Sequence, residues 1–206
     1  MTRKIILYVH MTLNGVVTGD PALDKEDFGG QWTKPGNLLG EASETLVRLF
    51  ERVDTILLGR GSFQTLSKRW PEMQASDGAE DVTARLANLI NSAKKLVVTR
   101  CPAEVDMSWG GFEPGQPIDS DEVTARVRQL RRGDAGDIVI FGSPMLVRAL
   151  ADADLLDECY FVIHPVVVPV GDRLFEGIVT RSDLSMKSAV SLEGGGILVA
   201  YERERE

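Results

Sequence analysis

Histidine and cysteine are almost missing from this chain of 206 residues, with two of each. Cys101 and Cys159 lie far apart in sequence, so neither a disulfide framework nor a Cys-x-x-Cys motif is present. His10 and His164 each sit in or beside an apolar strand, and a metal site needs more ligands than they supply. No metal is therefore expected, and both histidines read as structural. An excess of positive charge is also lacking. There are 23 Lys and Arg against 31 Asp and Glu, a net charge of −8. That excludes broad binding to nucleic acid or to an anionic membrane, but not a local basic pocket for one phosphorylated ligand. No apolar run reaches the length of a membrane span, and the stretch after Met1-Thr2-Arg3-Lys4 is too short for a signal peptide. A cytoplasmic location is the expectation. No Gly-x-Gly-x-x-Gly follows a strand, which excludes the Rossmann fingerprint. With no repeat, linker or low-complexity tract, one domain over residues 1–206 is expected.

What is present is an alternation of buried strands and amphipathic helices. Lys4 to His10 reads as the first strand, and residues 11–39 as a long loop containing Trp32. A helix is expected from Glu41 to Arg52, with Ala42, Leu46, Leu49 and Phe50 on its apolar stripe. Thr55 to Leu58, Lys95 to Thr99 and Ile138 to Phe141 are continuous apolar runs, the pattern of parallel strands covered on both faces. Helices are expected at 60–67, 82–92 and from Pro144. Another should run from Asp119 to Arg132, with Asp119 and Glu122 as a capping box. A short strand at Val105 to Trp109 is a further expectation. Glu158 to Val168 is a long β-branched run. Leu184 to Leu192 and Ile197 to Arg203 read as an antiparallel pair around Gly194-Gly195-Gly196. The fold class is α/β, with a mainly parallel sheet and antiparallel C-terminal strands.

Three polar turns follow three of the buried strands: Gly59-Arg60-Gly61-Ser62, Thr99-Arg100 and Gly142-Ser143-Pro144. Ligands of open α/β sheets bind beyond the carboxyl ends of the strands. Gly142 tolerates any backbone angle, Ser143 is a good N-cap, and Pro144 suits the first helical position. Helix N-termini and arginines together suit the phosphates of a dinucleotide. The plainer alternative is ordinary strand-end polarity. A substitution at Gly142 is expected to block such a ligand while leaving the apo-protein close to full stability.

Asp54 to Phe63 followed by Arg69-Trp70-Pro71 resembles the Gly-Arg-x-Thr region of dihydrofolate reductase-like proteins. The closer likeness is to the reductase domain at the C-terminus of the bifunctional riboflavin-biosynthesis deaminase–reductase and its stand-alone relatives. Met11 to Gly15 resembles that family's Ser-Leu-Asp-Gly, Lys95 to Arg100 its strand ending in Ser/Thr-Arg, and Ile138 to Ser143 its strand ending in Gly-Gly or Gly-Ser. Leu155 to Glu158 and Arg173-Leu174-Phe175 match its later segments. The resemblance implies a dihydrofolate reductase-like three-layer fold that binds NADPH. It implies that Gly59, Arg60 and Ser62 contact the cofactor phosphates and that Thr99 and Arg100 take the adenosine 2′-phosphate. Gly142, Ser143, Pro144, Met145 and Leu146 would face the pyrophosphate and nicotinamide. Asn14, Trp32 and Ser43 would line the substrate site. The implied activity is reduction of a small pterin-like or aminopyrimidine-like heterocycle. The family's named reaction is reduction of 5-amino-6-(5-phosphoribosylamino)uracil in riboflavin biosynthesis. A non-catalytic NADP-binding protein is the alternative.

Ser62 stands for the family's Thr, and Asn14 for its Asp. Ser43 stands where true dihydrofolate reductases carry a carboxylate, which speaks against folate as substrate. The proton donor is left open between water and an early-loop acid such as Asp24, Glu26 or Asp27. Relatives commonly pair through the C-terminal strands, so the apolar run Tyr160 to Val168 reads either as an exposed edge that pairs in a homodimer or as a central core strand.

Overall fold

Strand β1 (Ile5–Thr12) is buried along almost its whole length, with Ile5, Ile6 and Leu7 fully inaccessible. A strand of that kind needs strands on both edges and apolar layers on both faces. The computed structural model, which describes residues 2–18, 41–73 and 82–204, with the backbone alone of 18 and 41–43, supplies both. Eight strands form one sheet in the order β5-β4-β3-β6-β1-β7-β10-β9. They are β3 (Val53–Gly59), β4 (Lys94–Val98), β5 (Gln116–Ile118), β6 (Asp137–Phe141), β7 (Glu158–His164), β9 (Leu184–Ser191) and β10 (Ile197–Arg203), together with β1. From β5 to β7 every pairing is parallel, and β10 and β9 run antiparallel at the far edge. Two short strands, β2 (Val16–Thr18) and β8 (Asp172–Arg173), pair separately.

Helices cover the two faces. On one lie α1 (Glu41–Phe50), Phe63 of α2 (Arg60–Arg69) and α3 (Val82–Ser92), packed on Ile6, Tyr8, Ile56, Leu58 and Val139. On the other lie α4 (Val123–Arg131) and α5 (Pro144–Asp152), packed on Ile5, Leu7, Leu57, Ile138 and Ile140. Alternate residues of each strand thus enter alternate cores, the period-2 rule of a sheet covered on both sides. This is the expected three-layer arrangement.

Three expectations change. The strand expected at Val105 to Trp109 does not form. Trp109 is buried and its indole N–H donates to Asn91 Oδ1 at 2.8 Å, so the segment folds inward and makes a single bridge with Phe112. Instead Gln116–Ile118 pairs with β4, and Pro117 is tolerated because β5 is an edge strand. Asp119 caps a 3₁₀ turn, Ser120–Glu122, by accepting the Asp121 N–H at 2.9 Å, and Glu122 makes no reciprocal capping bond. Finally, β7 is no free edge. It pairs with β1 on one side and β10 on the other, so β9 forms that edge of the sheet.

The amino-terminal ends of the strands are tied by charge. Glu158, 1% exposed, accepts from Lys4 Nζ at 2.5 Å, from Arg52, from Lys187 Nζ at 3.0 Å and from the Tyr160 hydroxyl at 3.2 Å. Arg52 also reaches Asp137 at 2.9 Å, and Arg3 holds Asp54 and Thr55. A second buried charge, Lys95, lies 4.8 Å from the centre of the Trp109 ring, and burial pushes its pKa down to about 8.

Burial on its own would raise the Glu158 pKa. Hydrogen bonds from Lys4, Arg52 and Lys187 outweigh it and hold the carboxyl down at about 2, below its ordinary 4.5. The folded state therefore gains stability from Glu158 that is complete above pH 4.5 and is lost as pH falls from there towards 2. Glu158→Gln should cost about 3 kcal/mol at pH 7 by leaving the cations without their shared partner. Urea denaturation at pH 7 and pH 3 should show the variant losing less stability on acidification than the wild type. Equal losses in both would show that Glu158 does not carry the acid sensitivity.

Candidate functional site

The carboxyl ends of β3 and β6 lie side by side, and each runs directly into a helix. The contact between the two turns is close and reciprocal. A Cβ placed on Gly59 would stand 2.3 Å from Ser143 Oγ and 2.6 Å from Ser143 Cβ, and one on Gly142 would stand 3.0 Å from Ser62 Oγ. Each glycine is thus a gap filled by the serine of the neighbouring turn. Gly142 and Ser143 have positive φ, 74° and 65°, which reverses the chain sharply before Pro144. Ser143 therefore makes no capping hydrogen bond, against the expectation from its position, because its hydroxyl turns towards Gly59. Gly59 is the N-cap of α2, and no side chain closes that end either. Helix geometry leaves the N–H groups of Arg60, Gly61 and Ser62, and of Met145 and Leu146, without intrahelical partners. Pro144 has no N–H to offer. The result is two adjacent helix N-termini, one from each face of the sheet, with their positive dipole ends at the same carboxyl end of the strands.

The other residues singled out from sequence fall around this pair unevenly. Arg60 reaches Glu104 Oε2 at 3.1 Å, and Arg100 donates to Ser120 Oγ at 3.2 Å beside Asp121. Thr99 is buried, and its hydroxyl accepts the Cys101 N–H at 3.2 Å. Met145 is exposed, whereas the Leu146 side chain is buried among Ile138, Ile140 and Val147, leaving only its backbone to the site. Asn14 lies at the end of β1, where its amide donates to Val168 O at 2.7 Å and its oxygen accepts from the Thr12 hydroxyl at 2.8 Å. An aspartate could not donate to that carbonyl, so the Asn suits the turn. Trp32 lies outside the described residues, as do Asp24, Glu26 and Asp27, and so does the side chain of Ser43.

The histidines taken as isolated are in contact. Parallel pairing sets His10 opposite Val162 and Thr12 opposite His164, so both rings point to the α1 face, one residue pair apart. His10 Nδ1 lies 2.9 Å from His164 Nε2, and Tyr8 Oη lies 2.8 Å from His10 Nε2. Burial lowers the His10 pKa to about 3, helped by His164 and Arg69, and burial lowers that of His164 to about 4. Both rings are therefore neutral near pH 7. Tyr8 is also 5.0 Å from Phe141 at the end of β6, with Phe50 and Trp70 in the same aromatic group. Among the described residues the buried Trp70 Nε1 has no hydrogen-bond partner. The alternation of Tyr8 with His10, and of Tyr160 with His164, was visible in sequence. The adjacency of their two strands was not.

The sequence matches the model of the RibD C-terminal domain family over residues 3–198. The chain belongs to that family. It is 27% identical over 210 residues to the uncharacterized protein YyaP of Bacillus subtilis, covering 97% of this chain and 94% of the relative. Among solved structures, it overlays on the diaminohydroxyphosphoribosylaminopyrimidine deaminase/5-amino-6-(5-phosphoribosylamino)uracil reductase of Thermotoga maritima with a TM-score of 0.63. That match has 12% identity and covers 98% of this chain and 57% of the other. Dihydrofolate reductase of Enterococcus faecalis, solved with NADP(H), overlays with a TM-score of 0.53 and 14% identity over the full length of both chains. At such identities the overlays show a shared fold, and that fold is dihydrofolate reductase-like. In this RibD C-terminal domain the paired turns at β3 and β6 bring together two helix N-termini that no side chain caps.

The left-handed angle at Gly142 replaces the expectation of an unperturbed apo-protein. Any side chain there is strained as well as close to Ser62, so substitution costs stability whatever it does to a ligand. Gly59 gives a cleaner test of the contact. Gly59→Ala should lose about 2 kcal/mol by overpacking against Ser143. Adding Ser143→Gly should recover most of it, because glycine removes the clashing atoms and suits a φ of 65°. Urea denaturation of both single variants and the double variant measures this. Strictly additive losses would mean that the two turns do not touch.

Proposed function

We propose that the chain is an NADPH-dependent reductase of a small, flat heterocycle, pterin-like or aminopyrimidine-like. The observation that carries this is the pair of helix N-termini at β3 and β6, flanked by Arg60 and Arg100. The donor set fits a dinucleotide. Backbone N–H groups of Arg60, Gly61 and Ser62 and of Met145 and Leu146 would hold the linking phosphates, with Gly59, Gly142, Ser143 and Pro144 shaping the cradle. A Cβ on Gly61 would meet nothing within 4 Å, so a ligand can approach the backbone there. Arg100, following buried Thr99, would take the 2′-phosphate. The nicotinamide, when bound, supplies the hydride.

The chain's own part is to bind and orient. Buried Tyr8, Phe50 and Trp70, with half-buried Phe141, back the β6 turn from inside the core, and neutral His10 and His164 keep charge out of that layer. Asn14, Trp32 and Ser43 remain the proposed substrate contacts. The reaction named for the T. maritima protein, reduction of a phosphoribosylamino-uracil, is one member of the substrate class. The same reading includes a homodimer. Its seam would be β9, where Leu184 and Met186 are exposed, and not β7. Light scattering at micromolar concentration should then give twice the chain mass, and a monomer would remove the dimer.

Fluorescence titration tests the cofactor. NADPH should bind at least tenfold more tightly than NADH, since a charge-assisted pair to the 2′-phosphate contributes about 1.5–3 kcal/mol. Equal affinities would remove the role given to Arg100. NADPH oxidation in a screen of pterins and aminopyrimidines then separates a reductase from a protein that only binds the nucleotide.

A further inference from the structure

The arginine proposed for the 2′-phosphate is already committed. Its Nε donates to Ser120 Oγ at 3.2 Å and lies 3.8 Å from Asp121 Oδ1. The acidic turn is not loosely placed. Val98 pairs with Ile118, the Thr99 N–H donates to Ile118 O at 3.0 Å, and Asp119 holds the Asp121 N–H at 2.9 Å. The short edge strand β5 thus delivers Ser120-Asp121-Glu122 to the side of Arg100. Both members of the pair are open to a ligand, with Arg100 74% and Asp121 81% exposed.

An arginine and a carboxylate at one ribose pull cofactor choice in opposite directions. A carboxylate accepts a hydrogen bond from a free ribose 2′-hydroxyl, while an arginine accommodates a 2′-phosphate and the carboxylate repels it. We infer that Asp121 is a specificity-determining residue that sets how strongly this chain prefers NADPH over NADH, by competing with the 2′-phosphate for Arg100. The inference rests on the proposed cofactor reading. Binding of NADPH requires Arg100 to exchange an exposed carboxylate for a phosphate. Binding of NADH leaves the Arg100–Asp121 pair in place and gives Asp121 a hydroxyl to accept from.

Dissociation constants of NADPH and NADH, measured by fluorescence titration, test this in the wild type, Asp121→Asn, Arg100→Gln, the double variant and Glu122→Gln. Glu122 carries the same charge one residue on and makes no capping bond, so it controls for bulk electrostatics. Asp121→Asn should tighten NADPH roughly two- to fivefold, the range of an exposed ion pair, and should weaken NADH by a similar factor. In the Arg100→Gln background the gain for NADPH should vanish. Two results overturn the inference while leaving the cofactor reading intact. One is an unchanged NADPH-to-NADH ratio in Asp121→Asn, and the other is an equal change in Glu122→Gln. Wild-type protein that binds neither nucleotide overturns the cofactor reading, and the inference falls with it.

Discussion

Glu158 is the point on which the sheet is hung. It opens β7, the last of the parallel strands, and is almost fully buried, yet it accepts from groups on the segment before β1, on the α1–β3 connection, on β7 and on β9. Four separate parts of the chain thus share one carboxylate. Burying that charge is unfavourable unless every lone pair finds a donor, and here donors come from chain segments on either flank of β7. Arg52 extends the network to Asp137 at the start of β6, and Arg3 joins Asp54 and Thr55 of β3 beside it. The amino-terminal ends of β3, β6, β1 and β7 are therefore fixed in register by ion pairs. With one end of the strands held in this way, the other end is free to carry irregular backbone.

The carboxyl ends use that freedom. Two consecutive left-handed residues, Gly142 and Ser143, and a glycine cap at Gly59 are poor choices for stability alone. They persist because neighbouring strands hold the turns against each other, with a serine of each filling the space beside the other's glycine. The same closeness brings two helix N-termini together without a side-chain cap at either. Orphan N–H groups pointing one way are costly when buried and useful when a polyanion covers them.

Much of this was legible from residue order. Continuous apolar runs marked the central strands, and Gly-Arg-Gly-Ser and Gly-Ser-Pro marked the turns, because both signals are local. What was hidden depended on partners distant in sequence. Ser143 looked like a cap because serine commonly is one, and only the proximity of Gly59 shows why its hydroxyl turns elsewhere. His10 and His164 looked solitary because 154 positions separate them, and the parallel β1–β7 register alone places one ring 2.9 Å from the other. Tyr160 to Val168 fits a central strand or an exposed edge equally from sequence, because apolarity does not tell one from the other, and pairing with β1 and β10 decides for the central strand. Trp109 defeated the strand pattern because a hydrogen bond to Asn91, 18 residues away, outweighed local β-propensity.

Charge at the site follows from charge on the whole chain. A protein of net charge −8 does not draw a nucleotide in by its overall field, so an anion must be recognised at short range. The site's two prominent arginines are each matched by a nearby carboxylate, Arg60 by Glu104 and Arg100 by Asp121. These exposed pairs add little stability. Their effect is selective, because an anion displaces a carboxylate only where it also gains the backbone N–H groups of the helix ends. A simple anion at Arg100 alone meets competition and little else. A dinucleotide spanning the turns at β4, β3 and β6, as proposed, would gain every donor at once. On the proposed cofactor reading, the acidic partners would favour long, multiply anchored ligands over small anions, and it is the sheet's fixed register that would let three separate turns act as one surface.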